Sequence, residues 1–271
     1  MCWIYSKSEE LMHVLDLFKI EGKTAIVTGG GRGLGEQIAI GLAEAGANVV
    51  VCSRKVEACE QVKEKLEQLG VRSLALRCDV TNPEDVKHVV ETTVNEFGGI
   101  DILVNNSGAT WGAPVEEMPL EAWQKVLNVN ITGTFLMSQA VGKVMIAKQT
   151  GGAIVNIASV AGLGGTHPDI LNTIGYNTSK GAVITFTKDL AAKWGKHGIR
   201  VNAVAPGFFP TKMSQVVLQH VGQKVLEHTP LGRFGGDDDL KGAVLFLASP
   251  ASAFVTGALL VVDGGSHAAG M

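Results

Sequence analysis

Short apolar runs alternate along most of the chain with segments in which apolar residues recur at helical spacing. Runs that are largely apolar are typical of strands buried on both faces of a parallel sheet. The predicted strands are Lys23–Thr28, Asn48–Cys52, Ser73–Cys78, Ile100–Asn105, Ala153–Ala158, Arg200–Ala205 and Ala258–Val262. Strands that alternate with helices predict an α/β protein whose sheet is covered on both faces.

Helical segments follow several of these strands. In the segment after the first strand, the apolar residues from Leu34 to Leu42 lie on one face of a predicted helix, and Gly46 is suited to end that helix. A later helix is predicted to open at Thr81-Asn82-Pro83-Glu84, which combines cap residues, an early proline and a glutamate at capping-box distance. The other predicted helices are Lys55–Leu69, Thr132–Gln149 and one from Tyr176 to about Trp194.

The length and charge of the chain limit the classes of protein to which it can belong. A chain of 271 residues without a linker or a fixed-period repeat predicts one domain, here residues 19–271, preceded by an arm over residues 1–18. Lys and Arg number 23 and Asp and Glu 26, for a net charge of -3. Nucleic-acid-binding proteins usually carry a basic excess, so we expect no nucleic-acid partner.

The location of the protein is predicted from segments that the sequence lacks. No apolar run approaches the roughly 20 residues of a membrane span, and the N-terminus has no basic stretch followed by an apolar core. The four cysteines and seven histidines show no metal-binding spacing. We therefore expect a cytoplasmic protein with reduced thiols and no catalytic metal.

A glycine-rich turn, Thr28–Gly35, lies between the first predicted strand and the first helix. Backbone N–H groups at a helix N-terminus bind a pyrophosphate when no side chains stand in the way. The spacing Gly-x-x-x-Gly-x-Gly, over Gly29, Gly33 and Gly35, is one residue longer than the common dinucleotide fingerprint. A flexible turn is the alternative, but the strand before and the helix after it favour a dinucleotide site.

This spacing resembles that of the short-chain dehydrogenase/reductase family, and further motifs extend the resemblance over about residues 18–267. They are Asn105-Asn106-Ser107-Gly108 (with Ser where the family has Ala), Asn130 in NVNITG, Ser159 in NIASVAG, Tyr176-x-x-x-Lys180, Pro206-Gly207-x-x-x-Thr211 and Asp263-Gly264-Gly265. The resemblance implies a single doubly wound Rossmann domain, a seven-stranded parallel sheet and a nicotinamide cofactor.

The resemblance implies a catalytic set of Asn130, Ser159, Tyr176 and Lys180. Tyr176 and Lys180 are four residues apart, so they share a helix face, and a nearby ammonium is expected to lower the pKa of the phenol. Tyr176 would exchange a proton with the substrate oxygen, Ser159 would hydrogen-bond that oxygen, and Lys180 would hold the nicotinamide ribose. Asn130 would anchor a water that links Lys180 to solvent. Taken singly, each residue also has an ordinary structural explanation.

The end of the second predicted strand reads Cys52-Ser53-Arg54-Lys55, without the acid that would bind the ribose 2′-hydroxyl of NAD. Arg54 and Ser53 are suited instead to a 2′-phosphate, and Arg32 to the same phosphate or the adenine, so the predicted cofactor is NADP(H). The alternative is that both arginines are surface charges. Asp79, whose alternative role is to begin the next turn, resembles with Val80 the pair that contacts the adenine. The full predicted cofactor set is Gly29, Arg32, Gly33, Leu34, Gly35, Ser53, Arg54, Asp79, Val80, Asn106, Ser107, Gly108, Tyr176, Lys180, Pro206, Gly207 and Thr211.

We expect hydride transfer between nicotinamide and a small-molecule ketone or secondary alcohol. The stretch Gly164–Ile174 is predicted to border the pocket, and the candidate apolar walls, which could equally be core, are Trp111, Phe208, Phe209 and Met213. A 3-oxoacyl-type reductase is favoured over a polyol or sugar-acid dehydrogenase resembling gluconate 5-dehydrogenase. A non-catalytic NADP-binding regulator and an epimerase or dehydratase remain distant alternatives.

A homotetramer is predicted from apolar residues in excess of one stripe per helix. The helix Thr132–Gln149 has four sites spread around it, namely Phe135, Leu136, Gln139 and Val141–Val144, and the helix that begins at Tyr176 is marked by Val183, Phe186 and Leu190. The resemblance implies that these two helices pair with their mates across a two-fold axis. The apolar run Phe254–Val262 and the tail to Met271 would form a second interface. The alternative is that all of these residues fill the core of the protomer.

Overall fold

The computed structural model describes residues 12–212 and 214–270, apart from the side chain of Val216. Cys2, Tyr5, Met213 and Met271 lie outside the described residues. Within them, seven parallel strands form one sheet in the order β3-β2-β1-β4-β5-β6-β7. The strands are β1 Thr24–Thr28, β2 Asn48–Ser53, β3 Ser73–Arg77, β4 Ile102–Asn105, β5 Gly152–Ile157, β6 Ile199–Pro206 and β7 Leu259–Val262. The predicted architecture is confirmed.

Eight α-helices connect these strands within the described residues. They are α1 Gly33–Glu44, α2 Val56–Gln68, α3 Pro83–Phe97, α4 Leu120–Leu127, α5 Gly133–Lys148, α6 Ile174–Trp194, α7 Gln215–Glu227 and α8 Lys241–Ala248. The helices α4, α7 and α8 are not predicted from the sequence pattern. A π-helical turn, Asn128–Thr132, joins α4 to α5.

The sheet separates two apolar layers. Successive side chains of a strand point to opposite faces, so Ala25 and Val27 of β1 pack with α1, α2 and α8, whereas Ile26 packs with α3 and α5. All three side chains are completely buried. Burial on both faces explains why the strands read as near-continuous apolar runs.

The predicted helix signals agree with the observed helix ends. The Asn82 side chain caps α3 by accepting a hydrogen bond from the Glu84 amide at 3.0 Å, and Pro83 occupies the first turn. Gly46 follows α1 in the left-handed region, with φ 90°. At the end of the predicted arm, Phe18 packs against Phe246 with ring centroids 6.5 Å apart. No helix in the described part of the chain is long and apolar enough to cross a membrane.

Part of the residue set used to predict a tetramer belongs to the protomer itself. Val141 and Val183 are 0% and 1% exposed, so they fill the core and need no partner. Phe135 is different, because 44% of its surface is exposed on α5. Phe254 is fully exposed as well.

Candidate active site at the carboxyl edge of the sheet

The strand order reverses at β1, which lies between β2 and β4. In open α/β sheets, the crevice outside the carboxyl ends of the strands at such a point is the usual ligand site. The glycine turn leaves β1 here. Gly29 and Gly33 have φ of 64° and 55°, and a Cβ on Gly35 would lie 2.2 Å from the carbonyl oxygen of Gly29. Only glycine fits this close turn.

The start of α1 suits an anion. Arg32 is the N-cap of α1, and its side chain forms no capping hydrogen bond. The first N–H groups of a helix need acceptors, and phosphate oxygens are suitable ones. The predicted turn therefore has a backbone cradle that fits a pyrophosphate.

Asn106 fastens this turn to the end of β4. Its Nδ2 donates to the carbonyl oxygens of Thr28 and Gly29 at 2.9 and 3.2 Å. The backbone amides of Asn106 and Ser107 both donate to Thr28 Oγ1, each at 3.0 Å. The residues predicted after β1 and after β4 thus lie side by side, and Thr28, which the sequence analysis did not single out, joins them.

At the end of β2, the two residues predicted to bind the 2′-phosphate differ in their surroundings. Arg54 is exposed. The Ser53 hydroxyl donates to the Lys55 carbonyl oxygen at 2.9 Å and lies 3.2 Å from Cys59 Sγ, which donates to it. Because the proton of Ser53 is already used, Arg54 is the better placed of the two to bind a phosphate.

Asp79 follows β3 and has the role in the next turn that was its alternative explanation. Its Oδ1 accepts hydrogen bonds from Thr81 N and Oγ1 at 3.0 and 2.7 Å, so it shapes the next turn. Partial burial acts to raise its pKa, but these hydrogen bonds and the charges of Arg54 and Arg77 hold the pKa below its usual value. Val80 is 6% exposed and packs closely against Gly133.

The motif Pro206-Gly207-x-x-x-Thr211 lies in the connection between β6 and α7, at the same carboxyl edge of the sheet. Pro206 ends β6, and a Cβ on Gly207 would lie 2.7 Å from the Cβ of Asp263. The Thr211 side chain reaches the glycine turn, because a Cβ on Gly33 would lie 3.4 Å from Thr211 Cγ2. Segments that are distant in sequence therefore meet around one cleft.

Three of the four predicted catalytic residues are grouped at the end of β5. Tyr176 and Lys180 lie in the first two turns of α6, and Ser159 follows β5. The Ser159 hydroxyl lies close enough to the phenol of Tyr176 to act to lower its pKa. Lys180 Nζ donates to the Ile157 carbonyl oxygen at 2.7 Å and lies 5.6 Å from the centroid of the Tyr176 ring.

The pKa of Tyr176 departs from the expectation. Burial raises it above 10.0, and the nearby Ser159 hydroxyl opposes this rise. Burial also lowers the pKa of Lys180 from 10.5 to about 8. The expected net lowering of the phenol pKa is not found, because burial outweighs the opposing effects, while Lys180 Nζ is hydrogen-bonded to the Ile157 carbonyl oxygen and lies 5.6 Å from the centroid of the ring.

Asn130 lies in the π-helical turn and is 1% exposed. Its Oδ1 accepts from the Ala109 amide at 2.7 Å, and its Nδ2 donates to the Ala109 carbonyl oxygen at 2.9 Å and to Ser179 Oγ at 2.8 Å. The side-chain amide therefore has protein partners on both of its ends. A water on this residue would have to use the backbone carbonyl, which accepts from Thr134 Oγ1 at 2.8 Å.

The loop predicted to border the pocket contacts the segment after β4, where the Ala113 amide donates to the Asn172 carbonyl oxygen at 2.9 Å. Trp111, in that segment, is 46% exposed. Phe209 is core, since it is 4% exposed and packs among the buried residues beneath the sheet, whereas Phe208 is half-buried.

Within residues 12–212 and 214–270, no three His, Cys, Asp or Glu side chains are grouped so as to hold a metal.

Ser179 has contacts that the sequence analysis missed. It accepts from Asn130 and donates to the Tyr176 carbonyl oxygen at 2.7 Å, while it is completely buried. The sequence contains one indication of this role, because Ser179 is a small polar residue next to Lys180, on the buried face of α6.

Comparison with known proteins gives concordant results. Residues 29–267 match the sequence profile of a family described as enoyl-(acyl carrier protein) reductase. A 3-oxoacyl-[acyl-carrier-protein] reductase of Aquifex aeolicus is 40% identical over 248 residues, which are 91% of this chain and 98% of the relative.

Two solved structures extend the comparison to the fold. A short-chain type dehydrogenase/reductase from Mycobacterium marinum has a TM-score of 0.91 at 39% identity, and the match covers 94% of this chain and 99% of that one. A gluconate 5-dehydrogenase from Burkholderia cenocepacia, solved with NADP and tartrate, has a TM-score of 0.89 at 37% identity, with the same coverage.

Proposed function

The chain belongs to the short-chain dehydrogenase/reductase family, and on that premise we propose that it is an NADP(H)-dependent oxidoreductase that interconverts a ketone and a secondary alcohol. One observation carries this proposal. The Tyr176 phenol lies near Ser159 and near the buried Lys180 ammonium, at the edge of the sheet where the glycine turn begins α1.

Each of the three side chains has a chemical task in this proposal. Tyr176 is protonated at neutral pH because burial raises its pKa, so it can donate a proton to a carbonyl oxygen during reduction. In the reverse direction the phenolate form of Tyr176 accepts the alcohol proton. Ser159 donates a hydrogen bond that orients the substrate oxygen, and Lys180 supplies a positive charge that favours the phenolate as the proton leaves.

The residues that would hold the cofactor form two groups. The backbone of Gly29–Gly35, with Arg32, Thr211 and the Asn106–Gly108 segment, would bind the pyrophosphate and nicotinamide side. Arg54, Asp79 and Val80 would bind the adenosine side, where Arg54 favours a 2′-phosphate. The bound nicotinamide supplies or accepts the hydride. The relative solved with NADP supports the same choice of cofactor.

For the substrate we favour a 3-oxoacyl-type or similar carbonyl compound. Trp111 offers apolar surface in the segment that contacts the predicted loop, and the half-buried Phe208 offers more after β6, which suits an acyl chain better than a polyol. The second candidate is a polyol or sugar acid, favoured by the similarity to a gluconate 5-dehydrogenase at 37% identity.

We further propose a homotetramer that acts in the cytoplasm. Phe135 on α5 and Phe254 before β7 are exposed aromatic residues that a partner subunit would cover, and a closed symmetric assembly is the usual habit of such chains. Cys52, Cys59 and Cys78 are free thiols, as expected in a reducing compartment.

A substrate panel tests the proposed reaction. The purified protein would be mixed with NADPH and either 3-oxoacyl thioesters, simple ketones or keto-sugar acids, and the loss of NADPH absorbance followed. We expect turnover with at least one apolar ketone and a rate about 10²–10⁴-fold lower with Tyr176→Phe, while Tyr5→Phe serves as the matched control. Absence of turnover with every carbonyl compound and both cofactors would contradict the proposal.

A further inference from the structure

The tyrosine helix contains a buried hydroxyl that acts on the tyrosine backbone. Ser179, three residues after Tyr176, is completely buried and donates to the Tyr176 carbonyl oxygen at 2.7 Å. In a regular helix this oxygen accepts the amide of the residue four positions on, so the serine adds a second bond to the same acceptor. The backbone of Tyr176 is held by more than its helix.

The same hydroxyl is itself held from another element. Ser179 Oγ accepts from Nδ2 of Asn130 at 2.8 Å, and the other Nδ2 hydrogen goes to the Ala109 carbonyl oxygen. Asn130 Oδ1 accepts from the Ala109 amide at 2.7 Å. The Ser179 hydroxyl has one proton, which it donates to the Tyr176 carbonyl oxygen, so it can only accept from Asn130. The donor and acceptor of each hydrogen bond in the series are therefore fixed.

The chain of bonds, Ala109 to Asn130 to Ser179 to Tyr176, joins two sides of the candidate site. Ala109 directly follows the Asn106–Gly108 segment that is fastened to the glycine turn. On the opposite side, Lys180 is bonded to Ile157 of β5. The first turns of α6 are thus tied to the segment after β4 through Ser179 and to β5 through Lys180.

We propose that Ser179 is a positioning residue that keeps the Tyr176 hydroxyl aligned with Ser159 and with the substrate oxygen. The proposal rests on the proposed function, because it assigns Tyr176 the proton transfer. Without the Ser179 hydroxyl, an N–H of the buried Asn130 loses its acceptor, and the Tyr176 carbonyl loses a bond. A small displacement of a reacting group costs as much as about 10²-fold in rate.

The chain offers a matched control in Ser138 of α5. Ser138 is 1% exposed, and its hydroxyl accepts a hydrogen bond from the buried Asn105 Nδ2 at 2.9 Å. That network continues to Asn156 and then to Thr187, which is far along α6 from Tyr176. Ser138→Ala therefore removes an equivalent buried hydroxyl without disturbing the first turn of the tyrosine helix.

The kinetic test compares Ser179→Ala, Ser179→Thr and Ser138→Ala in the full chain. We expect Ser179→Ala to lower kcat about 10- to 100-fold with little change in KM, and Ser179→Thr, which keeps a hydroxyl, to restore a large part of the rate. Ser138→Ala should lower the melting temperature with kcat nearly unchanged. If Ser179→Ala does not fold, Ser179→Cys, of similar size but a weak hydrogen-bonding group, takes its place.

A titration of the phenol separates this proposal from the proposed function. The chain has two tyrosines, so in a Tyr5→Phe background the ultraviolet absorbance of phenolate reports Tyr176 alone and needs no substrate. Ser179→Ala should raise the apparent pKa of Tyr176, because the phenol loses its alignment with Ser159, while Ser138→Ala leaves it unchanged. This result would stand even if no substrate of the panel were turned over.

Two outcomes would overturn the positioning role. In one, Ser179→Ala leaves both kcat and the Tyr176 titration as in the parent protein. In the other, Ser179→Ala and Ser138→Ala lose stability and kcat in parallel, with the phenol titration unaltered in both, which would mark Ser179 as a packing residue only.

Discussion

Ser159 and Lys180 lie near the Tyr176 phenol at the end of β5, where Lys180 is hydrogen-bonded to the backbone, whereas Arg54 at the end of β2 is exposed. The first region acts through buried groups, including the charge of Lys180, so its chemistry depends on how closely the fold aligns them. The second acts through charge, which tolerates motion because an electrostatic attraction has little directionality. We therefore expect substitutions in the first region to change kcat and those in the second to change the choice of cofactor.

Lys180→Met should have the largest effect, because it removes the charge from the first region and a predicted ribose contact as well. Methionine keeps an unbranched apolar chain in the buried position. We expect turnover to fall about 10²–10⁴-fold and NADPH binding to weaken, measured by steady-state kinetics and by cofactor fluorescence. Activity close to that of the parent enzyme in a folded variant would contradict the claim that the first region sets kcat.

Arg54→Asp tests the second region. A carboxylate here repels a 2′-phosphate and can accept the 2′-hydroxyl of NAD, so kcat/KM for NADPH should fall about 10- to 100-fold and that for NADH should not. Lys87→Asp makes the same charge change on an exposed residue of α3. An equal loss in both variants would mean that net charge, and not a local contact, sets the preference.

The pH dependence sharpens the account of the first region. Lys180 has a pKa of about 8 because burial disfavours its charged form. The ammonium is present below this pKa and is lost as pH rises through it, so kcat for reduction should decline at pH above about 8, toward tenfold per pH unit. NADPH binding, measured at the same pH values, serves as the control. A rate that stays constant through this range would contradict the role of the ammonium.

Ser53→Ala should have the smallest effect. The Ser53 proton is donated to Lys55 O, so the hydroxyl contributes little to a phosphate contact. We expect kcat/KM for NADPH to change by less than about threefold. A loss comparable to that of Arg54→Asp would show that the hydroxyl turns toward the cofactor when it binds.

Sequence patterns predicted most of the sheet, because each strand is buried on both faces and reads as an apolar run. They did not predict α8, whose sequence KGAVLFLA is short and nearly all apolar, so that its period does not distinguish a helix from a strand. The π-helical turn at Asn128–Thr132 has no signature in hydropathy either.

The residues of the candidate site could be predicted where a sequence motif specifies them. Their chemical properties were less predictable, because those depend on burial in the folded protein. The positions of Tyr176 and Lys180 follow from their spacing, but the rise in the phenol pKa depends on burial that no spacing reveals. Likewise, Phe209 is core and Phe208 half-buried, although the two are adjacent in sequence.

The assembly is a separate prediction with a simple measurement. Light scattering of the purified protein should give about four times the protomer mass of 28.4 kDa. Phe135→Glu, which places a charge on the exposed face of α5, should reduce that mass while the domain stays folded. A stable species of protomer mass at micromolar concentration would exclude the tetramer.

Tyr176→Phe tests the central claim most directly when turnover and cofactor binding are measured on the same preparation. The substitution removes one hydroxyl and keeps the ring. The account predicts that NADPH binds with nearly the dissociation constant of the parent enzyme while carbonyl reduction falls about 10²–10⁴-fold. Substantial turnover by this variant, with cofactor binding intact, would contradict the assignment of proton transfer to Tyr176.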